Sequence, residues 1–191
     1  VMATFAMSEA LSIIFKGSDP TQAAKQISLS KLGSIRLDKD ETKKMVTTIP
    51  RSSIIGFIVG VLPGAGSTIA SFLAYGMERN FVKDEEKQKF GKGSVNGLSA
   101  PETANNAACS GSFVPLLTLG IPGSGTTAVM LGALLGFGIQ PGPRLYQTNP
   151  EIFWSVIMSM YIGMVILLIL NSPLIPYIAR ILAVPRAFLI P

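Results

Sequence analysis

Histidine is absent from this 191-residue chain, and it has one cysteine, Cys109, and one tryptophan, Trp154. Without imidazole and with a single thiol, this stretch cannot build a His/Cys zinc centre, a disulfide framework or a histidine acid–base pair. Charge is scarce too: Asp, Glu, Lys and Arg make up 14% of residues against 48% hydrophobic, with a mean hydropathy of +0.47. That balance excludes an ordinary soluble domain and points to a lipid environment. The formal net charge of +5 does not signal nucleic acid. All Lys and Arg except Arg144, Arg180 and Arg186 lie within residues 16–92, interleaved with acids and without alternating aromatics. That is the pattern of cytoplasmic membrane loops.

What the chain does have is proline and glycine in two matched places. VGVLPGAGSTIA (residues 59–70) and LGIPGSGTTAV (residues 119–129) each put a Pro-Gly-x-Gly break inside an apolar run. Proline lacks an N–H and clashes with the preceding turn, so each break should divide a helix and leave unpaired N–H and C=O groups. At membrane depth such groups survive only against protein or a water-filled cavity, and a matched pair of breaks points to a binding site.

These features predict an all-α integral membrane fold, a polytopic helical bundle with a re-entrant helical hairpin and a discontinuous transmembrane helix. Residues 1–15, apolar but too short to span, read as the end of a span that begins upstream, in a fragment of a longer protein. Residues 16–51 read as a cytoplasmic loop, with a short helix starting at Asp19-Pro20. Residues 52–77 lie between two basic loops, which predicts a hairpin that enters and leaves on one side. Each arm would be ~16 Å long, about half a hydrocarbon core, with Pro63 to Gly66 at the tip; the competing reading is one interrupted span of ~39 Å. Residues 78–102 read as a second cytoplasmic loop and 103–138, which carry no charge, as a broken span crossing outward. Residues 139–151 read as a periplasmic turn and 152–172 as the returning span. Residues 173–191 read as an interfacial segment and the start of a further span.

The chemistry belongs to the breaks. After each one a half-helix begins, at Ser67-Thr68 and Thr126-Thr127, with free amides and a positive dipole end suited to an anion. Gly64, Ala65, Gly66, Ser67, Thr68, Gly123, Ser124, Gly125 and Thr126 are therefore candidate substrate contacts. Asn105 and Asn106 join them, either as amide donors or as helix-to-helix glue. Carbonyls ending the upstream half-helices, at Leu62 and Gly120, are candidate ligands for a coupling cation, Na⁺ or H⁺. Glu102 is a third candidate, although Ser99 and Glu102 also have the spacing of a capping box. No catalytic residue, metal site or cofactor is expected. Phe90-Gly91-Lys92-Gly93 lacks the Ser/Thr and upstream Gly of a phosphate-binding loop. Gly123 to Ala128 match a dinucleotide fingerprint only loosely, with Pro122 where a strand would have to end.

Three stretches carry a family resemblance: LPGAGSTIASFLAYGMER, FGKGSVNGLSAPETANNAACSGSFVPLLTLGIPGSGTTAV and GIQPGPRLY, within residues 51–146. They resemble the large membrane subunit, the permease, of the tripartite tricarboxylate transporters. The resemblance implies a multi-pass permease of the bacterial inner membrane, of which this chain would be part of the second half. It also implies a small membrane subunit and a periplasmic solute-binding protein as partners. The transport implied is uptake of citrate or other carboxylates by symport, driven by an ion gradient rather than ATP. The family's glycine-rich motifs fall on Gly60 to Ser67 and Gly120 to Thr126, and its Pro-Glu-x-x-Asn-Asn element on Pro101, Glu102, Asn105 and Asn106. The other class open to these residues is a non-transporting membrane structural or assembly subunit, whose breaks serve helix packing.

Overall fold

The computed structural model describes residues 38–181, and every regular element among them is an α-helix. The span expected at 1–15, the helix start at Asp19-Pro20 and the further span beginning near Pro185 lie outside the described residues. Two compact units divide the chain, Arg36–Tyr161 and another that takes the last helix from Ile162 onward.

Helix α1, Lys39–Val61, begins well before the arm expected at residue 52. Its start is set by a capping box: the Asp38 carboxylate accepts from the Lys39 amide at 2.7 Å, and Glu41 accepts from the Asp38 amide at 2.9 Å. This box satisfies amides that the first turn would otherwise orphan. The charged stretch before the apolar run is therefore helical, and α1 continues through Pro50. After a four-residue break comes α2, Gly66–Phe81, then a single turn, α3, Asp84–Lys87. Helix α4, Val95–Gly111, starts at Ser94, whose hydroxyl accepts from the Gly97 amide at 3.1 Å. The capping box expected at Ser99 and Glu102 does not form, because both residues already lie inside α4. Starting at Ser94 lets the helix bury Asn96 against α1 and α2. An unforeseen interruption at Ser112 separates α4 from α5, Phe113–Leu119. The second Pro-Gly break precedes α6, Gly125–Gly136, and a turn, α7, Leu145–Thr148, leads to α8.

Helix α8, Pro150–Ile181, is longer than the span expected at 152–172. Pro173 and Pro176 deprive two carbonyls of their partners, yet the helical backbone runs through both. Within it, Pro150–Ile175 is long and apolar enough to cross a membrane.

The first unit is organised on a seam of small residues. Thr48 bonds Asn96, a Cβ added at Gly56 would fall on Ala104, and one added at Gly60 would fall on Ala108. In each pair the second residue stands 48 positions after the first, as printed for Thr48 and Asn96. A constant offset means that α1 and α4 run parallel. The approach is backbone to backbone: a Gly56 Cβ would lie 2.6 Å from the Ala104 Cα, and a Gly111 Cβ 2.6 Å from the Phe57 carbonyl oxygen. Helix α2 returns antiparallel to both, with Ala70 and Ala74 fully buried in the same small-residue core. The pairings Ser71 with Pro101 and Glu78 with Asn96 run in opposite senses along α2 and α4.

At the open end of the α1–α2 hairpin, Lys44 Nζ lies 2.9 Å from Asp40 and 3.2 Å from Glu86, and Ser94 Oγ donates to Glu86 at 3.0 Å. The bond and charge of Lys44 hold the Asp40 carboxyl below its usual range, and Asp40 and then Glu86 hold the Lys44 ammonium above its own. Burial pushes the Glu86 carboxyl up, but bonds from Ser94, Lys44 and Lys89 outweigh it and leave the group lowered.

The seam predicts opposite outcomes for two glycines. Gly56→Ala forces the α1 and α4 backbones apart and lowers thermal stability of the folded protein by ~1–3 kcal/mol, the usual cost of overpacking. Gly76 faces open space, so Gly76→Ala is neutral or stabilising by up to ~1 kcal/mol through helix propensity. Equal melting temperatures for the two variants would contradict the packing.

The ion cluster predicts a direction with pH. Lowered carboxyls contribute stability above the carboxylate range and lose it as pH falls through that range; raised Lys44 contributes below the lysine range and loses it as pH rises. The tether is therefore intact at neutral pH. Protection of the amides in residues 84–94, measured against their intrinsic exchange rates, should fall on acidification in wild type but already be low at neutral pH in Glu86→Gln; matching profiles would count against the tether.

Candidate functional site

The first break follows from local chemistry. Helix α1 ends as the Leu62 amide donates to Val59 at 3.1 Å, and the Ala65 amide closes back on the Leu62 carbonyl at 3.2 Å. Gly64 and Gly66 take φ of 82° and 70°, where a side chain would be strained, and nothing lies within 4 Å of a Cβ added at either. Ala65 then opens α2 with no side-chain cap. Among the described residues no hydrogen bond reaches the amides of Gly66, Ser67 or Thr68. This first turn therefore presents orphan donors at the positive end of the helix dipole.

The second break is closed differently. Gly120, at φ 70°, ends α5 with its amide on Leu116 at 3.0 Å and the following Ile121 amide on Pro115 at 3.2 Å, so those two carbonyls are satisfied. Ser124 caps α6 reciprocally with Thr127: the Thr127 amide donates to Ser124 Oγ at 3.2 Å and the Ser124 amide to Thr127 Oγ1 at 2.8 Å. The Ser124 hydroxyl is thus engaged within its own helix start.

The two breaks touch. The Gly64 amide donates to the Gly123 carbonyl at 3.3 Å, and Gly123 is buried against Ser112 and the Gly60 carbonyl. The seam that aligns α1 with α4 brings these corners together.

A groove of about 400 Å³ runs between α2 and α4, lined by Thr68, Ser71, Phe72, Tyr75, Pro101 and Asn105 among others. Asn105 Nδ2 lies 3.4 Å from Ser71 Oγ, and that hydroxyl reaches the carbonyls of Ser67 at 3.0 Å and Pro101 at 3.1 Å. Thr68, exposed on the first turn of α2, and Asn105 thus line one groove whose walls are mostly apolar. Asn106 does not join it, because its Nδ2 turns back to the Glu102 carbonyl at 2.9 Å. Glu102 is exposed, and among the described residues no bond ties its carboxylate to either break. The Leu62 carbonyl already accepts from Ala65, and Gly120 is pressed against the Pro141 carbonyl, 2.7 Å from an added Cβ. Gly125 and Thr126 are exposed at the start of α6.

One cluster escaped the sequence reading. Glu78, only 2% exposed, sits on α2 where the stripe of Ala70 and Ala74 continues at four-residue spacing. Its Oε1 accepts from Thr48 Oγ1 at 2.8 Å, Arg51 Nη2 at 2.7 Å and Asn96 Nδ2 at 3.1 Å, and Asn96 Nδ2 also reaches Thr48 Oγ1 at 2.8 Å. Arg51 stacks over Phe81, 5.4 Å from the ring centre. The spacing of Glu78 from the two alanines was the available signal, masked by its neighbours Arg79 and Lys83.

A family model for the tripartite tricarboxylate transporter TctA family matches residues 1–191. Two curated relatives come from Agrobacterium vitis. An uncharacterized 52.8 kDa protein in the TAR-I ttuC' 3'region is 40% identical over 170 residues, 89% of this chain and 34% of that protein. An uncharacterized protein in the TAR-II ttuC' 3'region is 46% identical over 136 residues, 71% of this chain and 55% of that protein. The chain thus spans about a third to a half of these relatives. No solved structure matches. With a whole-chain match to a transporter family and a helical fold around two broken elements, the chain belongs to the tripartite tricarboxylate transporter TctA family.

Proposed function

We propose that this chain is part of the permease of an ion-gradient-driven carboxylate transporter, and that the touching breaks form its substrate site. The contact of the Gly64 amide with the Gly123 carbonyl is the observation that carries this reading. In the arrangement we favour, a carboxylate of citrate or a related acid sits on the uncapped amides of Gly66, Ser67 and Thr68, next to the Thr68 hydroxyl and the Asn105 amide. Gly125 and Thr126, exposed at the start of α6, complete it from the second break, buried Gly123 joins the two corners, and Ala65 and Ser124 shape them. The coupling ion, Na⁺ or H⁺, travels with the substrate.

Charge supports the membrane placement in this reading. Lys39, Lys43, Lys44, Arg51, Arg79 and Lys83 crowd the open end of the α1–α2 hairpin, whereas its tip is Pro63 and Gly64. Ten residues from Ser52 to Val61 rise ~15 Å, about half of a hydrocarbon core, so the hairpin enters from the cytoplasm and turns near the midplane. Helices α4 to α6 form the broken span, and α8 returns across the inner membrane. Transport is alternating access, with the hairpin moving against the rest. A small membrane subunit and a periplasmic solute-binding protein complete the machine.

The competing role, a membrane subunit that only packs and assembles, draws on the seam of Gly56, Gly60 and Gly111. Uptake separates the two. In the full-length permease reconstituted with its partners, labelled carboxylate should accumulate, and Gly64→Val, which strains a φ of 82° in open space, should reduce uptake at least ~tenfold while membrane insertion is unchanged. Thr68→Val should weaken apparent substrate affinity by ~10–100-fold, about the worth of one hydrogen bond to a charged group. Wild-type uptake by both variants, or no uptake by the parent complex, would overturn the reading.

A further inference from the structure

The Glu78 cluster contains a mismatch that the candidate substrate site does not use. Three donors converge on Glu78 Oε1, while among the described residues no donor reaches its Oε2. Asn96 is 4% exposed; its amide nitrogen is engaged with Glu78 and Thr48, but its Oδ1 is buried without a partner. A buried acceptor without a donor costs about 1–3 kcal/mol. The ionised carboxylate cannot supply that donor. A protonated one can: a carboxylic acid and a primary amide pair through two bonds, amide N–H to the acid carbonyl and acid O–H to the amide oxygen. The first of these is already present at 3.1 Å, from Asn96 Nδ2 to Glu78 Oε1.

We infer that Glu78 is a proton-binding site: protonation at Oε2 completes the acid–amide pair with Asn96 and releases Arg51. The proton comes from water; an O–H bond forms at Oε2, Asn96 Oδ1 gains its missing donor, and the Arg51 Nη2 bond to Oε1 is given up. Arg51 can leave because its side chain is 40% exposed and keeps its stacking on Phe81. Among the described residues, the groups facing the carboxylate are Thr48 and Arg51 from α1 and Asn96 from α4; Arg51 is the only charged one. On α2 itself Arg79 is exposed, and Lys44 and Glu86 are occupied with each other at 3.2 Å. Thr48, Glu78 and Asn96 lie where α1, α2 and α4 meet, at the open end of the hairpin whose tip is Gly64, so exchange of Arg51 for a proton loosens one end of the element proposed to move. This last step rests on the proposed transport function; the proton site itself does not.

The test uses the full-length permease with its partner subunits. By infrared difference spectroscopy between neutral and acidic pH, purified wild-type protein should show a protonated-carboxyl band that Glu78→Gln lacks, and Arg51→Gln should strengthen that band at a given acidic pH, since an opposite charge is lost. Glu78→Gln keeps an amide that can pair with Asn96, so it folds; the double variant Arg51→Gln/Glu78→Gln serves if Arg51→Gln alone is unstable, and should be as stable as Glu78→Gln. In proteoliposomes, Glu78→Gln should retain carboxylate counterflow but lose accumulation driven by a pH gradient. Identical infrared changes in wild type and Glu78→Gln would overturn the proton site, whatever uptake does. A Glu78 band with pH-independent accumulation would overturn its link to transport while leaving the proton site in place.

Discussion

Backbone contact between α1 and α4 is the constraint on which the rest depends. Gly56, Gly60 and Gly111 remove the side chains that would hold these helices apart, and Ala104 and Ala108 present only methyl groups in return. Ordinary helices pack with axes 8–10 Å apart, and small-residue seams bring them closer. Running parallel with a fixed offset, the two helices end at the same level, α1 at Val61 and α4 at Gly111, and after α5 the second break returns to pack on Ser112, where Gly64 meets Gly123. Helix α2 can fold back into the remaining groove because Ala70 and Ala74 are as small.

The two breaks are alike in sequence and unlike in chemistry. LPGAGST leaves the first turn of α2 uncapped and its glycines in open space, whereas IPGSGTT closes its own helix start through Ser124 and Thr127. One residue accounts for the difference: the position before the second glycine of each pair is Ala65 in the first break and Ser124 in the second. A methyl cannot accept from an amide, so every first-turn donor of α2 remains available, while α6 engages its Thr127 amide on Ser124. The unbonded amides therefore sit on the first break, and the second closes on itself through Ser124 and Thr127.

The break positions were legible because they are set by proline and by positive-φ glycine, which act locally. Closeness of the breaks was not legible from either motif alone, since it depends on a seam spread over 48 positions. The start of α1 is hidden in the sequence because a charged stretch resembles a loop, although Asp38 and Glu41 have capping-box spacing. Ser99 with Glu102 has that spacing too and forms no box, because burial of Asn96 rewards a helix that has already begun at Ser94. The Glu78 cluster was hidden for a related reason: a carboxylate beside Arg79 looks solvated until the fold shows Thr48, Arg51 and Asn96 around it.

The central claim is that a carboxylate binds where the hairpin tip meets the second break. The most direct measurement is substrate protection of a thiol placed there, in the full-length permease with the exposed Cys109 replaced by Ser and Thr68 by Cys. The account predicts that a transported carboxylate slows labelling of position 68 by a polar maleimide, that an uncharged amide analogue does not, and that a thiol at exposed Asn106 is indifferent to both. Labelling of position 68 at the same rate with and without the carboxylate would contradict it.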